Sequence, residues 1–336
     1  MPPATLFLNL TRLALVLAFV VTVLGAYVRL SHAGLACPDW PGCYGELTVP
    51  AEKAVADQLF PDRPLQAGRA WKEMIHRYAA GTLGVVILVL AVIAWRRRHA
   101  AGQSVLLPGL LLLLVTAQAL LGMWTVTLLL KPVVVMAHLA GGLTLLALLF
   151  WLLLDLERSG RGNGGAGDCF PWAVAGLIIL AVQILLGGWT SANYAALICP
   201  DFPTCRGAWW PPMDFAEGFI LWRGTGIDYE GGILGTEART AIHMIHRLGA
   251  VVTSVIVGAV ILRSVLGTDR ILARIGWLML ALLVIQIGLG IGNVLLLLPL
   301  PVAVAHNGVA ALLLLSTVAL LHRSAAARIT GGASLG

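Results

Sequence analysis

Charge is scarce in this sequence. Only 11% of its 336 residues are Asp, Glu, Lys or Arg, against 59% that are apolar. An ordinary soluble domain carries roughly 25% charged residues, so that class is excluded. The first apolar run lacks a convincing cleavage site and reads as a retained span, not a signal peptide. Short alternating segments of the kind that build a barrel are missing as well. What is present is a set of long apolar runs, at about 10–30, 71–95, 105–129, 132–154, 171–192, 238–262, 272–297 and 301–322. Each is long enough for the ~20 residues that a membrane span needs. Uniformly apolar segments of this length satisfy their backbone groups in lipid only as helices. The expected fold is an all-α integral membrane protein with eight transmembrane helices.

The few charges are sorted by side. The net charge is +6. Arg96, Arg97, Arg98, Arg158, Arg161, Arg263, Arg270, Arg274, Arg323 and Arg328 fall in one set of turns. Asp39, Glu46, Asp57, Asp62, Asp201, Asp214, Glu217, Asp228 and Glu230 fall in the other. Positive loops mark the cytoplasmic side. Both termini are therefore expected in the cytoplasm, in a multi-pass protein of the cell membrane. This sorting is a topology signal and argues against a nucleic-acid site.

The chain repeats itself. "LACPDWPGC" at Leu35–Cys43 returns as "ICPDFPTC" at Ile198–Cys205, and Cys37 to Cys199 is the same step along the chain as Cys43 to Cys205. "EMIHR" returns as "HMIHR", pairing His76 with His246. Gln118 pairs with Gln286, and His138 with His306, both by one common step. Each half holds an even number of spans, so both share one orientation. Two tandem four-helix bundles are expected, 1–154 and 171–326, related by a pseudo-two-fold axis along the membrane normal. The polar, Gly-rich stretch 155–170 is the linker.

Each half places two histidines inside its spans, about six residues from the outer helix ends. That is roughly 8–13 Å below the surface. Two rings at one depth face each other across a flat ligand. The positions four residues on, Ala80, Gly142, Ala250 and Ala310, are small and share the histidine face. Bis-histidine haem ligation at His76 with His138, and at His246 with His306, fits this pattern. The plainer reading, histidines as polar glue between helices, suits one such residue better than four. His99 and His322 fall at cytoplasmic helix ends and read as solvated. His32 has no assignment.

The halves differ beside these histidines: Glu73 precedes His76 by three residues, where His243 precedes His246. A carboxylate in the membrane beside a haem ligand is costly unless used or partnered. It serves as a general base or a charge stabiliser, or else as a first-turn residue favoured by the helix dipole. No role is assigned to His243. Arg77 and Arg247 follow the histidines and pair with haem propionates or reach to the interface. Of five cysteines, Cys37 with Cys43 and Cys199 with Cys205 form loop pairs on the oxidising side. Each is a staple or a redox dithiol, and Pro and Asp around them do not make a zinc knuckle. Cys169 reads as inert.

Together, "RLSHAGLACPDWPGCYG", "EMIHR", "MAHLAGG", "CPDFPTCRGAWWPPM", "HMIHR" and "AHNG" resemble the haem A synthase family, in its cysteine-containing prokaryotic branch, over nearly the whole chain. The resemblance implies oxidation of a methyl group of haem O to the formyl group of haem A, by successive hydroxylation. It implies haem B in the C-terminal half on His246 and His306. It implies haem O in the N-terminal half, with His76 and His138 beside the substrate and Glu73 near the reacting group. It connects Cys37 and Cys43 with activity. Implied partners are a haem O synthase, assembly factors of haem–copper oxidases and the lipid bilayer; a homo-oligomer is permitted. The competing classes are a bis-histidine cytochrome moving electrons between quinol and external thiols, and a haem carrier. Neither needs Glu73.

Overall fold

The computed structural model describes residues 3–100, 104–157 and 169–332. Most of the linker expected at 155–170, with Arg158 and Arg161, lies outside the described residues, as does the side chain of Arg328. Among the described residues ten helices follow in order: α1 Pro3–Leu30, α2 Lys53–Leu59, α3 Ala67–Arg96, α4 Leu106–Thr127, α5 Pro132–Glu157, α6 Phe170–Ala192, α7 Phe215–Gly218, α8 Thr236–Leu266, α9 Arg270–Leu295 and α10 Leu300–Gly332. All but α2 and α7 are long and apolar enough to cross a membrane. Among the described residues the only β pairings are two isolated bridges, Cys43 with Glu46 and Cys205 with Ala208. This is an all-helical, multi-pass membrane architecture.

The chain forms two compact units. The first comprises Met1–Leu149, Ser191–Tyr194 and Ala216–Gly235. Within it α1 packs on α3, and α3 on α4. Above α3 the first cysteine loop buries Cys37, Cys43, Tyr44, Val49, Ala56 and Leu65 against Ala70 and Met74. Residues 216–235 are strapped to the same unit. The Tyr229 amide donates to the Leu129 carbonyl at 3.1 Å. Arg63 pairs with Asp228 at 2.6 Å and Glu230 at 3.1 Å. Lys131, only 2% exposed, donates to the Gly224 carbonyl and sits 3.4 Å above the Trp222 ring. A buried ammonium is tolerable with such partners.

The second unit comprises Phe150–Thr190, Ala195–Phe215 and Thr236–Gly336. Here α9 packs against both α8 and α10. Asp269 caps α9, accepting from the amides of Ile271 at 2.8 Å and Leu272 at 3.3 Å, while Arg323 reaches its other oxygen at 3.1 Å. Burial pushes this carboxyl up, but the amides and the guanidinium outweigh it and hold it below the usual carboxylate range. A depressed carboxyl stabilises the fold above its unfolded pKa, and loses that contribution as pH falls through the folded value. Asp269→Ala should therefore lower stability by about 1 kcal/mol at neutral pH. The difference from wild type should vanish in acid, as read by thermal melting in detergent.

His322 corrects an expectation. It does not end a helix, because α10 continues to Gly332. The ring is buried, its Nε2 2.7 Å from Asp155 and its plane edge-on to Trp151 at 4.8 Å.

The repeat is written into the backbone. Among the described residues, eight that are not glycine have positive φ: His32, Tyr44, Leu129, Leu130, Tyr194, Arg206, Leu297 and Leu298. They fall into four pairs. His32 with Tyr194 and Tyr44 with Arg206 keep the step of the cysteine loops, and Leu129 with Leu297 and Leu130 with Leu298 keep that of His138 and His306. Left-handed backbone costs such residues roughly 1–2 kcal/mol each. Its recurrence at matching positions means both halves use the same turns.

Candidate functional site

Each cysteine loop closes into a small lid. Cys37 and Cys43 are disulfide-bonded, as are Cys199 and Cys205. In the first lid Asp39 accepts from the amides of Tyr44 at 2.6 Å and Gly45 at 2.8 Å. In the second, Asp201 does the same for Arg206 at 2.5 Å and Gly207 at 2.9 Å. The Thr204 hydroxyl and these amides hold the Asp201 carboxyl down, to about 2. An arginine from the helix beneath clamps each lid. Arg77 donates to the carbonyls of Asp39, Pro41 and Gly42. Arg247 donates to those of Cys199, Asp201, Pro203 and Thr204. Both guanidiniums, read from sequence as candidates for propionates, are engaged by main-chain oxygens here.

Below the lids, His76 and His138 sit on α3 and α5, and His246 and His306 on α8 and α10. Room for each ring comes from a glycine on a neighbouring helix. A Cβ at Gly25 would meet His76 Cε1 at 3.1 Å, and one at Gly187 would meet His246 Cε1 at 3.0 Å. The same holds for Gly290 with His306 at 3.2 Å, whereas a Cβ at Gly122 would make only an ordinary 3.5 Å contact with His138. Sequence reasoning looked four residues along the histidine's own helix and missed these glycines. The signal was available in the repeat. Gly25 and Gly187 are spaced as the cysteine loops are, and Gly122 and Gly290 as His138 and His306 are.

The units diverge at Glu73 and His243. Helix α3 begins at Ala67, earlier than the apolar run, and its first turn holds no acid. Glu73 is thus too deep for a helix-start role and is only 4% exposed. One of its oxygens accepts the Cys37 amide at 3.0 Å, and the other meets Arg77 at 2.5 Å. His243 is also buried, but its Nδ1 lies 2.9 Å from the Ala195 carbonyl. The first lid is therefore wired to a carboxylate and the second is not. His32, unassigned from sequence, stacks on Tyr194 at 5.9 Å. It also lines a cavity of about 260 Å³ with Tyr44, Arg63 and Arg69.

The sequence matches the cytochrome oxidase assembly protein family COX15-CtaA over residues 9–318. The chain belongs to that family. A heme A synthase of Shewanella oneidensis is 43% identical over 316 residues, covering 93% of this chain and 94% of the relative. Heme A synthases of Caulobacter vibrioides and Rhizorhabdus wittichii are 26% and 27% identical, covering 76% and 91% of this chain and 76% and 90% of their own.

The residues present fit a haem. In His76, His138 and His306 the buried Nδ1 has no hydrogen-bond partner, and a proton held there leaves Nε2 as the nitrogen able to take iron. Among the described residues no three His, Cys, Asp or Glu side chains converge as a bare-metal site. Two histidines per half are the number that bis-histidine ligation of an iron porphyrin would use.

The two lids should answer differently to cysteine loss. Removing either small-ring disulfide should cost about 2 kcal/mol. Cys199→Ser should lower the melting temperature and leave product formation intact. Cys37→Ser should lower both, because the Cys37–Cys43 disulfide holds in place the main-chain amide that anchors Glu73. Equal retention of product in both variants would make the first pair a staple only.

Proposed function

We propose that this chain is an enzyme that oxidises the methyl group of haem O to the formyl group of haem A. The observation that carries this reading is the asymmetry between two otherwise matching histidine pairs. Only the first has a buried carboxylate beside it, tied to a disulfide loop. Substrate haem O is assigned to the first half, 1–154, between His76 and His138. Haem B is assigned to the second half, 171–326, between His246 and His306, and supplies one-electron chemistry when bound. In the first half, Glu73 is the group positioned to take a proton as the methyl carbon is oxidised. Arg77 holds that carboxylate and the lid in one arrangement. Lid, glycines and apolar helices keep bulk water from the reacting carbon. In the second half His243 replaces the carboxylate, which suits electron storage without substrate chemistry.

The sorting of charged loops supports a cell-membrane protein with both termini in the cytoplasm and both lids on the outer face. Formation of haem A needs a prenylating enzyme upstream to supply haem O and assembly factors of haem–copper oxidases downstream to take the product. Homo-oligomer formation through the apolar outer helix faces belongs to the same reading, as does a pseudo-two-fold relation between the halves.

A haem extraction tests the proposal. The chain is produced in cells that make haem O, purified in detergent, and its porphyrins separated by chromatography and mass. Haem A, or hydroxylated haem O, beside haem B is the expected result. Haem B alone, with haem O plentiful in the same membranes, would overturn it.

A further inference from the structure

The units also differ in how the histidines of α3 and α8 are held. In the second unit, Gln183 of α6 places Nε2 3.0 Å from Nδ1 of His246 and 3.0 Å from the carbonyl oxygen of the same residue. The amide fits there because residue 249 is glycine: a Cβ at that position would collide with Gln183 Oε1. Glutamine and glycine together make a built seat for the ring. The first unit has neither. The step that pairs Gly187 with Gly25 sets Val21 against Gln183, and the step that pairs His246 with His76 sets Ala79 against Gly249. The Val21 carbonyl approaches the ring of His76, yet no partner meets hydrogen-bond geometry at its Nδ1. A different glutamine, Gln118 in one half and Gln286 in the other, is present in both; Gln286 places Nε2 3.3 Å from Nε2 of His306, whereas Gln118 Nε2 has no partner.

We propose that Gln183 is a positioning residue that fixes His246 as the lasting ligand of a retained haem, and that its replacement by Val21 leaves the first site free to exchange. The inference rests on the assignment of haem B to the second half. A partner on the outer nitrogen of a ligating histidine sets ring orientation and ligand strength, and its loss typically costs about 10–100-fold in affinity. Gln183 Oε1 has no partner in the structure. Turning the amide over gives up its bond to the His246 carbonyl and offers that oxygen to an Nδ1–H, the tautomer that leaves Nε2 for iron. A cofactor must stay through many turnovers, whereas a substrate site must admit one porphyrin and release another. A pinned ring serves the first need and an unpinned ring the second.

The test measures transfer of haem B from the purified protein to apomyoglobin, together with the low-spin electron paramagnetic resonance signal. Gln183→Val should release haem B about 10-fold faster or more and shift the signal. Gly249→Ala, which keeps the glutamine but crowds its amide, should do the same. Gln183→Glu, which keeps an acceptor at Nδ1, should hold haem near the wild-type rate and lower its midpoint potential. Val21→Gln with Ala79→Gly should slow release from the first half. Wild-type transfer and signal in both Gln183→Val and Gly249→Ala would overturn the tether. His246→Ala separates this failure from the other: if it too leaves haem B in place, the site assignment itself is wrong.

Discussion

Replacing Glu73 with glutamine should stop haem A formation, by about 100-fold or more, while haem B stays bound. Glutamine keeps the volume of the side chain and an acceptor for the Cys37 amide. Arg77 is not stranded, because the carbonyls of Asp39, Pro41 and Gly42 still hold it. What is lost is the negative charge and the proton acceptor. Glu73→Ala is the less clean variant. It leaves the buried Cys37 amide without its partner, at roughly 1–3 kcal/mol, so stability falls along with product. Chromatography of the bound porphyrins reads product, and the dithionite-reduced spectrum reads haem B. Normal haem A from Glu73→Gln would reduce this residue to a strap for the lid.

The second large effect is expected at glycines that touch no ligand. Gly187→Leu should abolish the low-spin haem B spectrum as completely as His246→Ala does, though every histidine remains. The first atom added at Gly187 already lies 3.0 Å from His246 Cε1, closer than unstrained carbon contacts allow, and three further carbons have no room. The ring must turn away from its partner His306. Gly25→Leu crowds His76 in the same manner at 3.1 Å. It should spare haem B and remove product, because it acts on the other half. Absorption spectra with porphyrin analysis separate the two outcomes. Haem B loss in both variants would mean that they disturb the fold and not one site each.

Much of this architecture was legible because lipid is a strict solvent. Eight apolar runs, a doubled cysteine loop and four intramembrane histidines named the elements, and the helices lie where those runs are. Helix starts were less legible. The apolar pattern stops where lipid stops, but α3 carries on to Ala67 as a helix above it. For that reason a first-turn role stayed open for Glu73, which lies deeper along the helix. Ring seating was hidden as well, since it depends on a neighbouring helix that no spacing along one helix reveals. Gln183 stayed out of view because it has no counterpart in the first half, and the reading followed what the halves share. His322 was misjudged because α10 runs past the apolar stretch, and a helix that continues can bury a polar ring against Asp155 and Trp151.

The clamps on the two lids have a consequence for how such a protein varies. Arg77 and Arg247 grip main-chain oxygens of their lids, and every amino acid supplies that oxygen. The main-chain part of the grip does not depend on which side chains a lid carries. Trp40 in one lid and Phe202 in the other occupy matching positions, 39% and 44% exposed, and Arg247 also lies over the Phe202 ring at 5.7 Å. The outward surface of a lid is therefore free to be rewritten without loosening the chamber below, and one scaffold can meet different neighbours while its interior chemistry stays the same.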